Sequence, residues 1–198
     1  GMAKLFVRFP QHQFPSLKEL VDRIYEKQRA RQIPHGHSAV FGQPSTLTNR
    51  STPPRDPVMR QQRIDTFREA QRRMPLPIDS IEPQIPYDAP VTIVRGGTGS
   101  GKTTRYPLML SLFSKDVDSS PRIIVAQPRR LACQTAARRV AAEQGYNIGD
   151  KDCPIGYAIR FESYLGKGDR TVDFQTPGVL LRRATDNPLL CDVTHLCI

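Results

Sequence analysis

Gly96-Gly97-Thr98-Gly99-Ser100-Gly101-Lys102-Thr103-Thr104, preceded by Val91-Thr92-Ile93-Val94, decides the fold of this chain. The glycine-rich run fits G-x-x-x-x-G-K-[ST], a loop whose backbone N–H groups can cradle phosphates. The four residues before it are apolar or β-branched and predict a buried strand. The segment after it, through Leu108, Leu110 and Leu112, predicts a helix. Strand, glycine loop and helix N-terminus together make an anion site. Gly96, Gly99 and Gly101 allow close backbone approach. Lys102 is placed to reach the β- and γ-phosphates of a nucleotide, and the Thr103 hydroxyl to hold Mg²⁺. The candidate nucleotide-binding set is therefore Gly97, Thr98, Gly99, Ser100, Gly101, Lys102, Thr103 and Thr104, with Lys102 and Thr103 as the candidate catalytic pair.

Working outward, strands and helices alternate. Arg122–Ala126 is a second short apolar strand, followed by a helix from about Arg130 to Gln144. Tyr157–Phe161 and Thr171–Gln175 read as strands, Pro177–Ala184 as a helix and Thr194–Ile198 as a last strand. This alternation predicts an α/β fold with a parallel sheet flanked by helices and right-handed crossovers. Residues 74–198 would form that unit, and residues 1–73 a basic, helical and irregular N-terminal extension. Within the extension, Ser16 as N-cap and Glu19 as its capping-box partner start a helix over about 16–31. Leu17, Leu20, Val21, Ile24 and Tyr25 share one face of it. Residues 32–55 read as a flexible linker. Asp56-Pro57 caps a second helix, 57–73. Its many arginines and thin apolar stripe predict a solvated helix.

The chain has 198 residues, a net charge of +10 and 18 prolines, many before Pro90. The basic balance favours a polyanionic partner. No apolar run approaches the ~20 residues needed to span a bilayer, so no membrane role is expected. Cys133, Cys153, Cys191 and Cys197 form no C-x-x-C pair and read as free thiols of a reducing, intracellular compartment. Nucleus or cytoplasm is expected. The mitochondrion is the alternative, although the acidic residues of the basic start fit a transit peptide poorly.

Three further segments narrow the function: Ala126-Gln127-Pro128-Arg129-Arg130-Leu131-Ala132, Ile159-Arg160-Phe161-Glu162 and Phe174-Gln175-Thr176-Pro177-Gly178-Val179-Leu180-Leu181-Arg182. With the glycine loop, they resemble motifs I, Ia and Ib and an intervening strand of the DEAH/RHA ATP-dependent RNA helicases of superfamily 2. The resemblance covers about Met74 to Ile198. It implies a partial RecA-like lobe, with ATP and Mg²⁺ as ligands and RNA as partner. Arg129, Arg130, Thr176 and Gly178 match residues that hold the RNA backbone without reading bases. Arg139 matches an arginine that stacks on adenine. The residues themselves agree with phosphate contacts, since guanidinium groups at strand ends suit phosphate oxygens. They also admit plainer roles: a solvated basic pair for Arg129 and Arg130, a helix face for Arg139, an N-cap for Thr176. One departure is Arg105, where the family usually has Gln.

The resemblance further implies an Asp-Glu-x-His motif directly after a strand like Thr194–Ile198. It also implies a second lobe. Unwinding or remodelling of RNA or ribonucleoprotein is therefore expected of the parent protein, with other proteins of such a complex as further candidate partners and little activity in this chain alone. The competing reading is a non-catalytic RNA-binding or scaffold component of a ribonucleoprotein with a degenerate or partial core.

Overall fold

Seven described strands build one sheet in the computed structural model, which describes residues 3–8, 56–115, 121–188, 190 and 192–198. In chain order they are β1 (Ala3–Arg8), β2 (Val91–Arg95), β3 (Arg122–Ala126), β4 (Ile155–Ile159), β5 (Glu162–Tyr164), β6 (Thr171–Gln175) and β7 (His195–Cys197). The described helices are α1 (Pro57–Arg73), α2 (Arg105–Phe113), α3 (Arg130–Glu143) and α4 (Pro177–Asp186). A 3₁₀ stretch, Pro77–Gln84, leads from α1 towards β2. The expected helix over 16–31 and the linker over 32–55 lie outside the described residues.

The sheet order is β2-β1-β7-β3-β6-β4-β5. β7, β3, β6 and β4 pair in parallel. β4 and β6 are buried at every position, as parallel strands covered on both faces must be. Ile123 and Val125 pack on one face of β3, in a cluster with Tyr106, Leu108 and Leu112 of α2 and Cys133, Ala137 and Val140 of α3. Ile124 packs on the other face with Leu190 and Val193, against Leu180 and Ala184 of α4. Each such fully buried aliphatic or aromatic side chain stabilises the fold by about 1.5–3 kcal/mol.

The sheet is mixed rather than purely parallel. β1, from within the stretch read as extension, runs antiparallel between β2 and β7. Its alternating Lys4, Phe6 and Arg8 are unremarkable in sequence, and its strand character comes from the two ladders it completes. At the other end, β5 folds back antiparallel on β4 as a hairpin.

The helix over 57–73 forms with the expected bounds, and the Asp56 carboxylate accepts from the N–H groups of Val58 and Met59. It is not a solvated helix. Arg63 and Phe67 are buried. Arg60 donates to the carbonyl of Leu112 at 2.9 Å. Arg63 donates to the carbonyls of Asp169 and Arg170 and to Ser111 Oγ. Arg68 pairs with Glu82. Two of the arginines that suggested a solvent face thus satisfy carbonyls of the lobe, Arg60 at the C-terminal end of α2 and Arg63 at the turn before β6. Arg170 closes the same helix end by donating to Ser111 O at 2.7 Å and Ser114 O at 3.2 Å. Cations suit that end because the unpaired carbonyls of a helix carry partial negative charge.

Candidate functional site

The glycine loop leaves β2 at Arg95 and reaches α2 at Arg105. Gly99 (φ 80°) and Gly101 (φ 94°) occupy the left-handed region, which costs glycine little and other residues more. A Cβ on Gly101 would stand 2.7 Å from Ile78 Cγ2, whereas one on Gly97 or Gly99 would meet nothing within 4 Å. The space over the middle of the loop is therefore open, and its base is packed tight. The regular helix starts directly after the loop, as expected: residues 101–104 form a turn, tied by Arg105 N–H to Gly101 O at 2.8 Å, and the helix begins at Arg105. Among the described residues, the amides of Gly99, Gly101, Lys102, Thr103 and Thr104 donate to no backbone carbonyl. Backbone donors are rarely left unpaired unless a ligand or solvent takes them.

Lys102 is buried and folded onto its own loop. Its Nζ donates to Gly96 O at 2.8 Å, Gly97 O at 2.5 Å and Ser100 Oγ at 3.0 Å. Thr103 and Thr104 are partly exposed beside it. The loop is braced from outside by the segment that runs from the end of α1 into the start of the 3₁₀ stretch. Ile78 N–H donates to Ser100 O at 3.1 Å. Arg105, the residue that departs from the family pattern, is buried. It donates to Met74 O at 3.1 Å and lies 3.7 Å from Asp79. Its contacts thus fix the wall of the loop and leave the cradle itself untouched.

Arg139 lies on the far side of that wall. It pairs with Glu143 at 2.7 Å, and its Nη2 lies 2.9 Å from Met74 Sδ. Its partners among the described residues are Glu143 and Met74, and Met74 O in turn accepts from Arg105 at the end of the loop.

Arg129, Arg130, Thr176 and Gly178 come together at the carboxyl ends of the parallel neighbours β3 and β6, where open α/β sheets present ligand sites. Gln127 N–H donates to Gln175 O at 2.8 Å and so holds the two strand ends side by side. Arg129, Arg130 and Gly178 are exposed, and Thr176 is nearly buried. Thr176 is the N-cap residue of α4, but its hydroxyl makes no capping bond. Next to them, the β4–β5 turn projects Arg160 and Phe161, with the guanidinium 4.6 Å from the ring centroid. Arg130 donates to Arg160 O at 3.3 Å. Glu162 does not pair with Arg160; it accepts from Gln134 at 2.9 Å and from the Tyr157 hydroxyl. His195 is buried in β7, with its Nδ1 2.9 Å from Thr194 Oγ1.

This arrangement can be set against known proteins. No family model matches the chain. It is 39% identical over 112 residues to the DExH-box ATP-dependent RNA helicase DExH1 of Arabidopsis thaliana, covering 54% of this chain and 11% of that protein. It is 35% identical over 146 residues to the pre-mRNA-splicing factor ATP-dependent RNA helicase DEAH10 of the same plant, covering 72% of this chain and 19% of the relative. It is 34% identical over 133 residues to the ATP-dependent RNA helicase DHX30 of Gallus gallus, covering 65% of this chain and 11% of the relative. The chain belongs to the DExH/DEAH RNA helicase family. It spans no more than about a fifth of the length of these relatives. The mixed, mostly parallel sheet flanked by helices is that of a partial RecA-like lobe. No described helix is long and apolar enough to cross a membrane.

Sequence reasoning within the helicase frame missed two features of the site. One is the bracing segment Met74–Ile78, hidden because its Pro-rich text reads as a connector. The other is β1, whose only signal is a short alternation far from the motifs. Cys133, Cys153 and Cys197 are free and buried, as read; Cys191 lies outside the described residues.

Proposed function

We propose that the chain is the ATP- and RNA-backbone-binding part of an ATP-dependent RNA helicase. The observation that carries this reading is the pairing of unpaid loop amides with Lys102 at the end of β2. In the proposed complex the amides from Gly99 to Thr104 donate to phosphate oxygens. Lys102 exchanges Gly96 O and Gly97 O for the β- and γ-phosphates. The Thr103 hydroxyl is the protein ligand to Mg²⁺. ATP with its Mg²⁺ supplies a cleavable phosphoanhydride and the binding energy that a helicase converts into motion. Arg139 and Met74 offer a surface for the base.

Arg129, Arg130 and the Thr176 hydroxyl hold successive RNA phosphates. None of them is placed as a base reader, so binding is independent of sequence. For a full-length parent, the corresponding function is ATP-driven unwinding or remodelling of RNA or ribonucleoprotein, with Lys102 and Thr103 as part of the catalytic apparatus. Fluorescence anisotropy of a labelled single-stranded RNA, with and without ATP and Mg²⁺, tests the reading. Arg129→Ala with Arg130→Ala should abolish RNA binding and spare ATP binding. Lys102→Ala should abolish the response to ATP and spare RNA binding. Loss of neither would favour a scaffold whose contacts lie elsewhere.

A further inference from the structure

The one antiparallel strand inside the parallel part of the sheet brings a second lysine to the glycine loop. β1 pairs Ala3 with Arg95 and Lys4 with Val94, so its start lies at the end of β2 where the loop begins. Residues opposite one another in such a pair point to the same side of the sheet. Lys4 therefore shares the side of Val94 and of Phe6, two positions along its own strand. That side is fixed by Phe6, which is buried with its ring centroid 4.1 Å from Tyr106 of α2. The loop crosses from β2 to α2 on that same side, and Lys102 sits in it.

Lys4 is half-buried. Burial lowers its affinity for a proton; Cys197 opposes this and the Lys102 charge adds to it. Among the described residues no carboxylate acts on Lys4. Two ammonium groups on one side of the sheet at the end of β2, one of them partly desolvated, beside unpaired amide donors, can be satisfied together by one anion.

We infer that Lys4 is a second phosphate-binding cation of this site, and that a triphosphate bound between Lys4 and Lys102 ties β1 to the loop. The inference rests on the reading of the loop as a triphosphate site. It assigns the loop a ligand that none of its own residues supplies. It also couples nucleotide to the N-terminal strand, because β1 is the only described ladder partner of β2.

The test uses the full chain with ATP, inorganic triphosphate and AMP as probes, read by calorimetric titration and by thermal melting without ligand. Lys4→Gln should weaken ATP and triphosphate about tenfold, the effect of losing one charge-assisted contact, and leave AMP unchanged. Lys4→Arg should restore most of the affinity. Without ligand, Lys4→Gln should melt at or above the wild-type temperature, since it removes a half-buried charge that faces another. If Lys4→Gln binds ATP like the wild type while Lys102→Ala does not, Lys4 has no part in the site and the loop reading stands. If the wild type binds neither ATP nor triphosphate, the loop reading falls and the inference falls with it. A lower melting temperature for Lys4→Gln, with affinity not restored by Lys4→Arg, would make Lys4 structural and overturn the inference.

Discussion

Arg63 of α1 donates its Nη1 to the carbonyl oxygen of Arg170 at 3.1 Å, joining residues 107 positions apart. Both side chains are buried, and both converge on the C-terminal end of α2. Through this contact the helix before the lobe becomes one of its walls. Arg63→Met should lower unfolding stability by about 1–3 kcal/mol, because it removes the Arg63 donor from the Asp169 carbonyl and one of the two donors to the Arg170 carbonyl, which keeps its bond from Ser111 Oγ. Arg63→Lys should not restore it, since an ammonium cannot reproduce the planar fork. Urea denaturation checks both; a midpoint unchanged in Arg63→Met would show that α1 does not brace the lobe.

The two left-handed loop glycines should respond differently to alanine. Gly101→Ala faces a clash with Ile78 and Leu76 as well as its positive φ. It should cost about 2–4 kcal/mol, from backbone strain with overpacking. Gly99→Ala meets open space and should cost only about 1–2 kcal/mol, the left-handed penalty alone. Equal midpoints in urea would contradict the packing described at the base of the loop.

RNA contacts should show themselves through salt. Each of Arg129→Ala and Arg130→Ala should weaken single-stranded RNA binding to a similar degree on unrelated sequences. Each should also reduce the slope of log affinity against log salt by about 0.7, one phosphate contact. Anisotropy titrations at several salt concentrations measure this. A loss confined to one RNA sequence would mean base readout instead.

Alkaline pH should destabilise the fold. Burial pushes the Cys133 thiol from 9.0 up to about 12 and raises Cys153 and Cys197 as well. These groups keep their protons when folded and lose them when unfolded. The stability they contribute is complete below pH 9 and falls as pH rises above it, by about 1.4 kcal/mol per pH unit for each thiol. Tyr106, pushed from 10.0 up to about 12, adds its loss above pH 10. Arg63 acts in the opposite sense but only above its lowered value of about 10, and Lys4, lowered from 10.5 by burial, opposes the thiols below that value, so the comparison with Cys133→Ala is what isolates a thiol. Urea midpoints across the interval from about pH 9 to 10 should fall, and less steeply in Cys133→Ala.

The sequence was most legible where local chemistry and tertiary role agree. The Asp56-Pro57 cap, the β-branched strands and the glycine loop each carry their own instruction, and the structure follows it at α1, β3 and β6; β2 forms as a strand but is not the buried one expected, since it ends the described sheet and leaves Val91 and Ile93 exposed with only Val94 buried. Periodicity misled where polar side chains do interior work. The arginines of α1 read as a solvent face because charge normally stays wet, yet Arg60 and Arg63 are turned inward by carbonyls that only the folded lobe presents. β1 was illegible because a six-residue strand is stabilised by the ladders on either side of it. Its partners are some 90 and 190 residues away in the chain, and nothing in the local text names them. At the site, the loop and the residues at the ends of β3 and β6 were proposed from motif order, and the structure brings the latter side by side. The wall at Met74–Ile78 and Lys4 emerged only from packing.

The most direct test of the account is the equilibrium affinity of this chain for ATP with Mg²⁺, compared between the wild type and Lys102→Ala. The account predicts measurable binding by the wild type. Lys102→Ala should lose at least about tenfold, the loss of one charge-assisted phosphate contact, with its melting temperature without nucleotide within a few degrees of the wild type. Equal affinity in the two proteins would contradict the assignment of the Gly96–Thr104 loop as the phosphate site.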